Sequence, residues 1–222
     1  PDGVTTIGKW AFHKCSSLTV KKLPNRLRTL GKGAFDECSA LERVHIPRLR
    51  TMGELAFRGC SSLTAITLRN GVDIGNCAFA DCPSLTAITL PHGVTTIGQG
   101  AFSHCSLLTD MTFPASLRII EENAFYGCTS LTAIAFPNVP NGLTVIEDTA
   151  FAGCDSLKHV VIPDSIREIG FGAFRGCFSL TDITLPKQFQ DPDELVKIFG
   201  KNFYSKEDLA RGVTRVIPGI PE

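Results

Sequence analysis

Cys82-Pro83-Ser84-Leu85-Thr86-Ala87-Ile88-Thr89-Leu90-Pro91-His92-Gly93-Val94-Thr95-Thr96-Ile97-Gly98-Gln99-Gly100-Ala101-Phe102-Ser103-His104-Cys105 begins and ends on cysteine and is one period of a repeat. Its closing Ala-Phe-x-x-Cys recurs eight times in the 222 residues, at Phe12 and Cys15, Phe35 and Cys38, Phe57 and Cys60, Phe79 and Cys82, Phe102 and Cys105, Phe125 and Cys128, Phe151 and Cys154, and Phe174 and Cys177. Successive cysteines are 23, 22, 22, 23, 23, 26 and 23 residues apart. The unit reads C-x-x-L-x-x-I/V-x-I/L/F-P-x-x-V/L/I-x-x-I/L/M-G/E-x-x-A-F-x-x-C, and Val4-Thr5-Thr6-Ile7-Gly8 returns letter for letter as Val94-Thr95-Thr96-Ile97-Gly98. A period in this range marks a solenoid, because one such unit cannot cover its own apolar residues and must stack on copies of itself.

Within the unit, Leu85 to Leu90 alternates, with Ile88 and Leu90 to one side and Ala87 and Thr89 to the other. It reads as a strand of about five residues, closed by Pro91, which has no N–H to give a ladder. Val94 and Ile97 turn a second apolar pair inward. Gly98 permits a bend, and Ala101 to Cys105 closes the coil as a helical turn or 3₁₀ piece.

The unit resembles the BspA-like (Treponema pallidum-type) leucine-rich repeat, whose signature is L-x-x-I-x-I/L-P-x-x-V/L-x-x-I-G-x-x-A-F-x-x-C. The resemblance runs from about Val4 to Pro186. It implies an α/β repeat solenoid, a right-handed leucine-rich-repeat coil with a parallel sheet on the concave face and short helical turns on the convex face. It also implies a non-enzymatic binding or adhesion role, with a lean towards the cell surface, and it brings no catalytic motif and no cofactor. The alternative readings are the recognition arm of a larger enzyme whose catalytic domain lies outside this chain, and a purely structural spacer.

Composition agrees with a folded chain: 43% hydrophobic and 20% charged residues exclude wholly disordered and collagen-like classes. No run of about 18 apolar residues is present to span a bilayer. The chain opens inside a unit, at Pro1-Asp2-Gly3-Val4, without a signal segment, and is therefore expected to continue upstream.

Eight of the nine cysteines share one repeat position. Buried cysteine behaves as a small hydrophobe, so a ladder of free thiols is expected. Disulfides are not, because parallel in-register side chains point alike. Cys77 stands apart, where other units carry Gly33, Gly100 or Gly172, and reads either as a reactive thiol or as a neutral replacement. Zinc spacing is not convincing, since Cys82 and Cys105 belong to the ladder. The five histidines do not assemble with Ser, Cys or Asp into a nucleophilic set; His45 and His159 are taken to share an outward register several repeats apart.

Twenty-two Lys and Arg balance twenty-two Asp and Glu, but unevenly. Residues 1–70 hold twelve basic and five acidic residues, a net +7, and residues 71–222 hold ten and seventeen, a net −7. Arg26 aligns with Arg48 and Arg28 with Arg50 in adjacent units, beside Lys21, Lys22 and Arg43. This basic end reads as a solvated face, as a site for an acidic protein or a sulfated or phosphorylated ligand, or as a nucleic-acid contact. The last is least favoured because stacking aromatics are not interleaved. The polarity could also steer head-to-tail association. Candidate binding residues are Lys22, Arg28, Arg43, His45, Arg50, Thr67, Thr89 and Thr112; the outward Thr run reads equally as sheet propensity.

Three departures remain. Lys21 takes an inward position. The longest period carries its excess at 137–142, a bulged loop. Residues 1–186 form the solenoid, and 187–222, with helices expected at 191–199 and 205–210 and a strand at 213–217, reads as a C-terminal cap or the start of a linker.

Overall fold

A computed structural model describes residues 3–19, 23–68 and 70–200. The coils stack in parallel, and among the described residues they contribute fourteen short strands, two in most coils. The alternating stretch forms the first sheet. Arg43–His45, Ala65–Thr67 and Ala87–Ile88 pair in one run, and Asp110–Thr112, Ala133–Ala135, His159–Val161 and Asp182–Thr184 in another. Register is unshifted: Arg43 lies opposite Ala65, His45 opposite Thr67, and Ala133 opposite both Asp110 and His159.

The Val-x-x-Ile pair does turn inward, and it also makes a second parallel sheet that the sequence pattern does not announce. Thr6–Ile7, Thr29–Leu30 and Thr51–Met52 form its first run, and Thr96–Ile97, Ile119–Ile120, Val145–Ile146 and Glu168–Ile169 its second. Two-residue strands are too short for alternation to reveal. Between the runs the fourth coil reads Val72-Asp73-Ile74, one residue less than Val94-Thr95-Thr96-Ile97, and keeps a single bridge from Ile74 to Ile97.

The Ala-Phe-x-x-Cys segments are stacked turns rather than helices. Gly33, Phe35 and Glu37 donate their N–H groups to Glu54, Ala56 and Arg58 of the next coil at 2.8, 2.9 and 2.7 Å. The N–H groups between them close turns within the coil, from Ala34 to Gly31, Asp36 to Gly33 and Cys38 to Phe35, at 3.2 Å each. An α-helix would send every N–H to its own chain four residues back. Here every second one serves the neighbour, which needs a left-handed residue on each side of the Phe: Gly33 and Glu37 at φ 60° and 58°, Asn123 and Gly127 at 57° and 70°.

From Phe35 to Phe174 the ladder phenylalanines are fully buried. Their rings stack at 5.0 to 5.6 Å between centroids, within 11° of parallel, adding about 0.5–1.5 kcal/mol per pair to the burial itself. Cys38, Cys60, Cys82, Cys105, Cys128, Cys154 and Cys177 are buried beside them, Cys15 is exposed, and all nine thiols are free. Each buried thiol donates to the Phe carbonyl of the coil before: Cys38 to Phe12 at 3.0 Å, Cys105 to Phe79 at 3.2 Å, Cys177 to Phe151 at 3.3 Å. Cysteine therefore fills this position both as a small apolar group and as a weak donor.

The long period keeps the stack in step. Gly142 donates to Val139 at 3.0 Å inside the insertion, Leu143 is buried again, and Val145 pairs in register with Ile119. After the last coil, Asp191 caps the helix Pro192–Phe199 by accepting from Asp193 N–H at 2.9 Å, with Pro192 opening the first turn. Leu195, Ile198 and Phe199 join the core. Gly172 and Phe174 donate to Lys197 and Ile198 at 2.7 and 3.1 Å, and the Phe199 ring lies 6.1 Å from Phe174, tilted by 35°. Lys21 and the elements expected at 205–210 and 213–217 lie outside the described residues.

Candidate binding surfaces

Alternation decides which side chains face out of the first sheet. Arg43, His45, Thr67, Thr89 and Thr112 are all exposed there, while Val44, Ile66, Ile88 and Met111 between them are buried. Among the described residues none of these five outward side chains has a hydrogen-bond or ion-pair partner. Arg28 and Arg50 sit elsewhere in the coil, at the entry to the second-sheet strands Thr29–Leu30 and Thr51–Met52, with Arg50 N–H donating to Arg28 carbonyl at 2.7 Å. The structure thus divides the candidate residues between two surfaces. Lys22 lies outside the described residues.

His45 and His159 do not share a row. His45 lies opposite Thr67, whereas His159 lies opposite Ala133 and Asp182, at the repeat position that Arg43 holds in its own coil. His159 Nδ1 stands 2.8 Å from Asp182 Oδ2, which also accepts from Thr181 Oγ1 at 3.1 Å.

A second charged cluster escaped the sequence reading. Asp36, fully buried, takes Arg58 Nε and Nη2 at 2.7 and 3.0 Å and His13 Nδ1 at 2.7 Å. Glu37 lies 3.4 Å from the same guanidinium. The bidentate bond to Asp36 holds the Arg58 proton above its ordinary range, with burial opposing. His13, Asp36 and Arg58 each directly follow a ladder phenylalanine, so that one column, read down the repeats, carries the signal of the stack. Trp10 meets the His13 ring edge-on at 5.3 Å.

Much of the acidic charge is also structural. Glu121 Oε2 accepts from Gln99 N–H at 2.9 Å, Glu147 Oε2 from Glu122 N–H at 3.0 Å, and Asp148 Oδ1 from Phe171 N–H at 2.7 Å. These carboxylates satisfy backbone donors left over between the second sheet and the turns. By contrast, Arg26, Arg28, Arg48 and Arg50 are exposed and make no side-chain ion pair or hydrogen bond among the described residues.

Burial favours the neutral form of several ladder thiols. Burial pushes Cys128 up to about 12, and Cys105 and Cys154 upward for the same reason. Cys77 is half-buried at φ 52°, in the glycine column, with Sγ 3.6 Å from Gln99 carbonyl. Burial raises its pKa against the opposing pull of Arg58, the reverse of what activates a thiolate. Among the described residues no three His, Cys, Asp or Glu side chains are grouped to hold a metal, and no helix is long and apolar enough to cross a membrane.

Parallel coils of two strands and a stacked turn, on a Leu-Ile-Phe-Cys interior, define a leucine-rich repeat β-solenoid. Six copies of the BspA type leucine-rich repeat region match the sequence, over residues 1–105, 51–139 and 72–192, and the chain belongs to that family. It is similar to a leucine-rich repeat protein of Bacteroides ovatus, 32% identical over 83% of this chain and 53% of that one, with a TM-score of 0.66. The Treponema pallidum leucine-rich repeat protein is 28% identical, with 89% and 79% covered and a TM-score of 0.62. A Eubacterium ventriosum leucine-rich repeat protein is 27% identical, with 69% and 41% covered and a TM-score of 0.62. The chain thus spans about half the length of the Bacteroides protein. No curated protein matches it significantly.

Proposed function

We propose that this chain is a non-enzymatic recognition module that binds another protein, in an adhesion role, through the outward face of its first sheet, with Arg43 and His45 supplying the basic end of that face. The observation that carries the reading is a division of labour along each strand. Val44, Ile66 and Ile88 hold the fold from inside, while Arg43, His45, Thr67 and Thr89 between them have no partner within the described chain. The fold therefore leaves these outward positions free to vary with a ligand. An address on the cell surface suits the same reading, because buried, proton-bound thiols resist an oxidising exterior.

Residues 187–222 are proposed as a cap on the last coil, supported by the Phe199 ring against Phe174 and by the carbonyls offered to Gly172 and Phe174. A chain ending at Pro186 is expected to expose Phe174 and aggregate; unchanged solubility and melting would remove the cap from the proposal.

The function is tested by cross-linked capture from the surroundings of the source cells, comparing wild type with Arg43→Glu, His45→Glu, Thr67→Glu, Thr89→Glu and Thr112→Glu combined. A protein held by wild type and lost by the variant supports the reading. Equal capture by both excludes the first sheet, and capture by neither favours a spacer.

A further inference from the structure

Coils two and three repeat one local conformation. Leu27 N–H closes a turn onto Pro24 at 3.0 Å and Leu49 N–H onto Ile46 at 3.4 Å, and both leucines are fully buried. Each leucine is flanked by two exposed arginines, Arg26 and Arg28 in one coil and Arg48 and Arg50 in the next. Unshifted pairing of Thr29 with Thr51 keeps the two coils in step, at the strand spacing of about 4.8 Å.

Like charges that close repel, and elsewhere on the same coils the protein relieves such columns. Lys32 meets Glu54 at 2.6 Å, and Asp36 stands between His13 and Arg58. The arginine quartet receives no carboxylate from any described residue. The column also ends there, since coils four and five place Asp73 and Thr95 where Arg28 and Arg50 stand.

The chemistry of the quartet selects its ligand. Guanidinium groups grip tetrahedral oxyanions with two parallel bonds where lysine offers a point charge. Among the described residues six large apolar side chains are exposed, Trp10, Leu107 and Phe178 among them, and none of the six belongs to coils two or three. A protein partner would want an aromatic or apolar anchor at the centre of its footprint, and a single-stranded nucleic acid would want rings to stack on. Neither is offered.

We propose that Arg26, Arg28, Arg48 and Arg50 form a site for a linear sulfated polysaccharide, one coil engaging each of two neighbouring sulfated residues. The proposal rests on the recognition reading above but uses the edge before the second sheet instead of the outward face of the first.

The test is the affinity of a size-defined heparin oligosaccharide across a salt series. Changing all four arginines to serine is expected to weaken binding by about a hundredfold and to flatten its salt dependence, as lost counterion release requires. A control with Lys158→Ser, Arg167→Ser, Arg175→Ser and Lys187→Ser removes equal charge from the other half and is expected to stay within about twofold. Arg→Lys at the four positions keeps the charge and loses the fork, so binding several-fold weaker than wild type carries the test even if the serine variant fails to fold.

Equal loss in the control, or absence of wild-type binding, overturns the site. Equal affinity for de-sulfated heparin, polyphosphate or single-stranded DNA overturns the ligand class. If heparin fails while the first-sheet variant still loses a captured protein, this site falls and the recognition reading stands. If heparin holds and no protein is captured, the reverse follows.

Discussion

Coils two and three and coils five and six share one interior and differ in nearly everything outside it. Phe35, Phe57, Phe102 and Phe125 occupy one stack, and Cys38, Cys60, Cys105 and Cys128 one row of donors. In the column after the phenylalanine, at the edge of that interior, the first pair of coils carries the buried Asp36 and its partner Arg58, and the second carries Ser103 and Tyr126. The first has Arg28 and Arg50 where the second has Thr95 and Arg118. A solenoid coil touches only its neighbours, so a column is constrained where it faces inward and nearly unconstrained where it faces out. The contrast teaches that the information about partners lies in the variable columns, read downwards rather than along the chain.

The largest expected effect should erase the contrast. Phe57→Ala and Phe102→Ala each leave a cavity in a stack of rings and are expected to cost about 3–5 kcal/mol. Chemical denaturation should give equal losses within error; unequal ones would mean the two regions do not share one core.

Next comes a test that should widen it. Arg58→Ala strands the buried Asp36 with only His13, at a cost of about 2 kcal/mol, reduced from that of a fully buried pair because Arg58 is partly exposed. Ser103→Ala, in the same column two coils on, is expected to stay within about 0.5 kcal/mol. Melting of the two variants side by side decides it, and a cost for Arg58→Ala as small as that for Ser103→Ala would break the comparison.

The thiol row is common to both regions and gives a pH signature. Burial raises Cys128 from 9.0 to about 12. In that window the folded state holds a proton that the unfolded state has released, so stability present below pH 9 declines as pH rises towards 12. The slope is at most about 1.4 kcal/mol per pH unit for each such thiol. Thermal melts of Cys128→Ala across the alkaline range should show a shallower decline than wild type, and parallel curves would exclude the thiol as the cause.

The smallest effect concerns the arginines. Arg28→Ser with Arg50→Ser removes exposed, unpaired charge and is expected to change stability by less than about 0.5 kcal/mol, if anything upward. A loss of several times that would make these residues part of the scaffold, and would sharpen the line between binding and holding.

Much of the fold was legible from one period of sequence. Ile88 and Leu90 facing in, Pro91 ending the strand, the Phe-Cys rows and the free thiols all follow from alternation and periodicity. The second sheet was not, because Thr29–Leu30 and its equivalents are two residues long and owe their strand character to neighbours in adjacent coils. The turns are not helical pieces, although a compact Ala-Phe-x-x-Cys segment closing a coil is compatible with one. Left-handed residues such as Glu37 and Leu55 divert alternate N–H groups to the next coil, and nothing in their side chains announces it. Of the candidate surface, the outward row from Arg43 to Thr112 came from the repeat alone. The Asp36 cluster and the separation of Arg28 from Arg43 needed the coils to be stacked.

By itself the sequence determined which residues face inward, since burying an apolar side chain every second residue in every period is a local, repeated demand. Only the tertiary structure decided which charges are neutralised and which stand free. Whether an aspartate meets an arginine depends on the exact step from one coil to the next and on which backbone donors remain unfilled, and those are properties of the stack, not of any one coil.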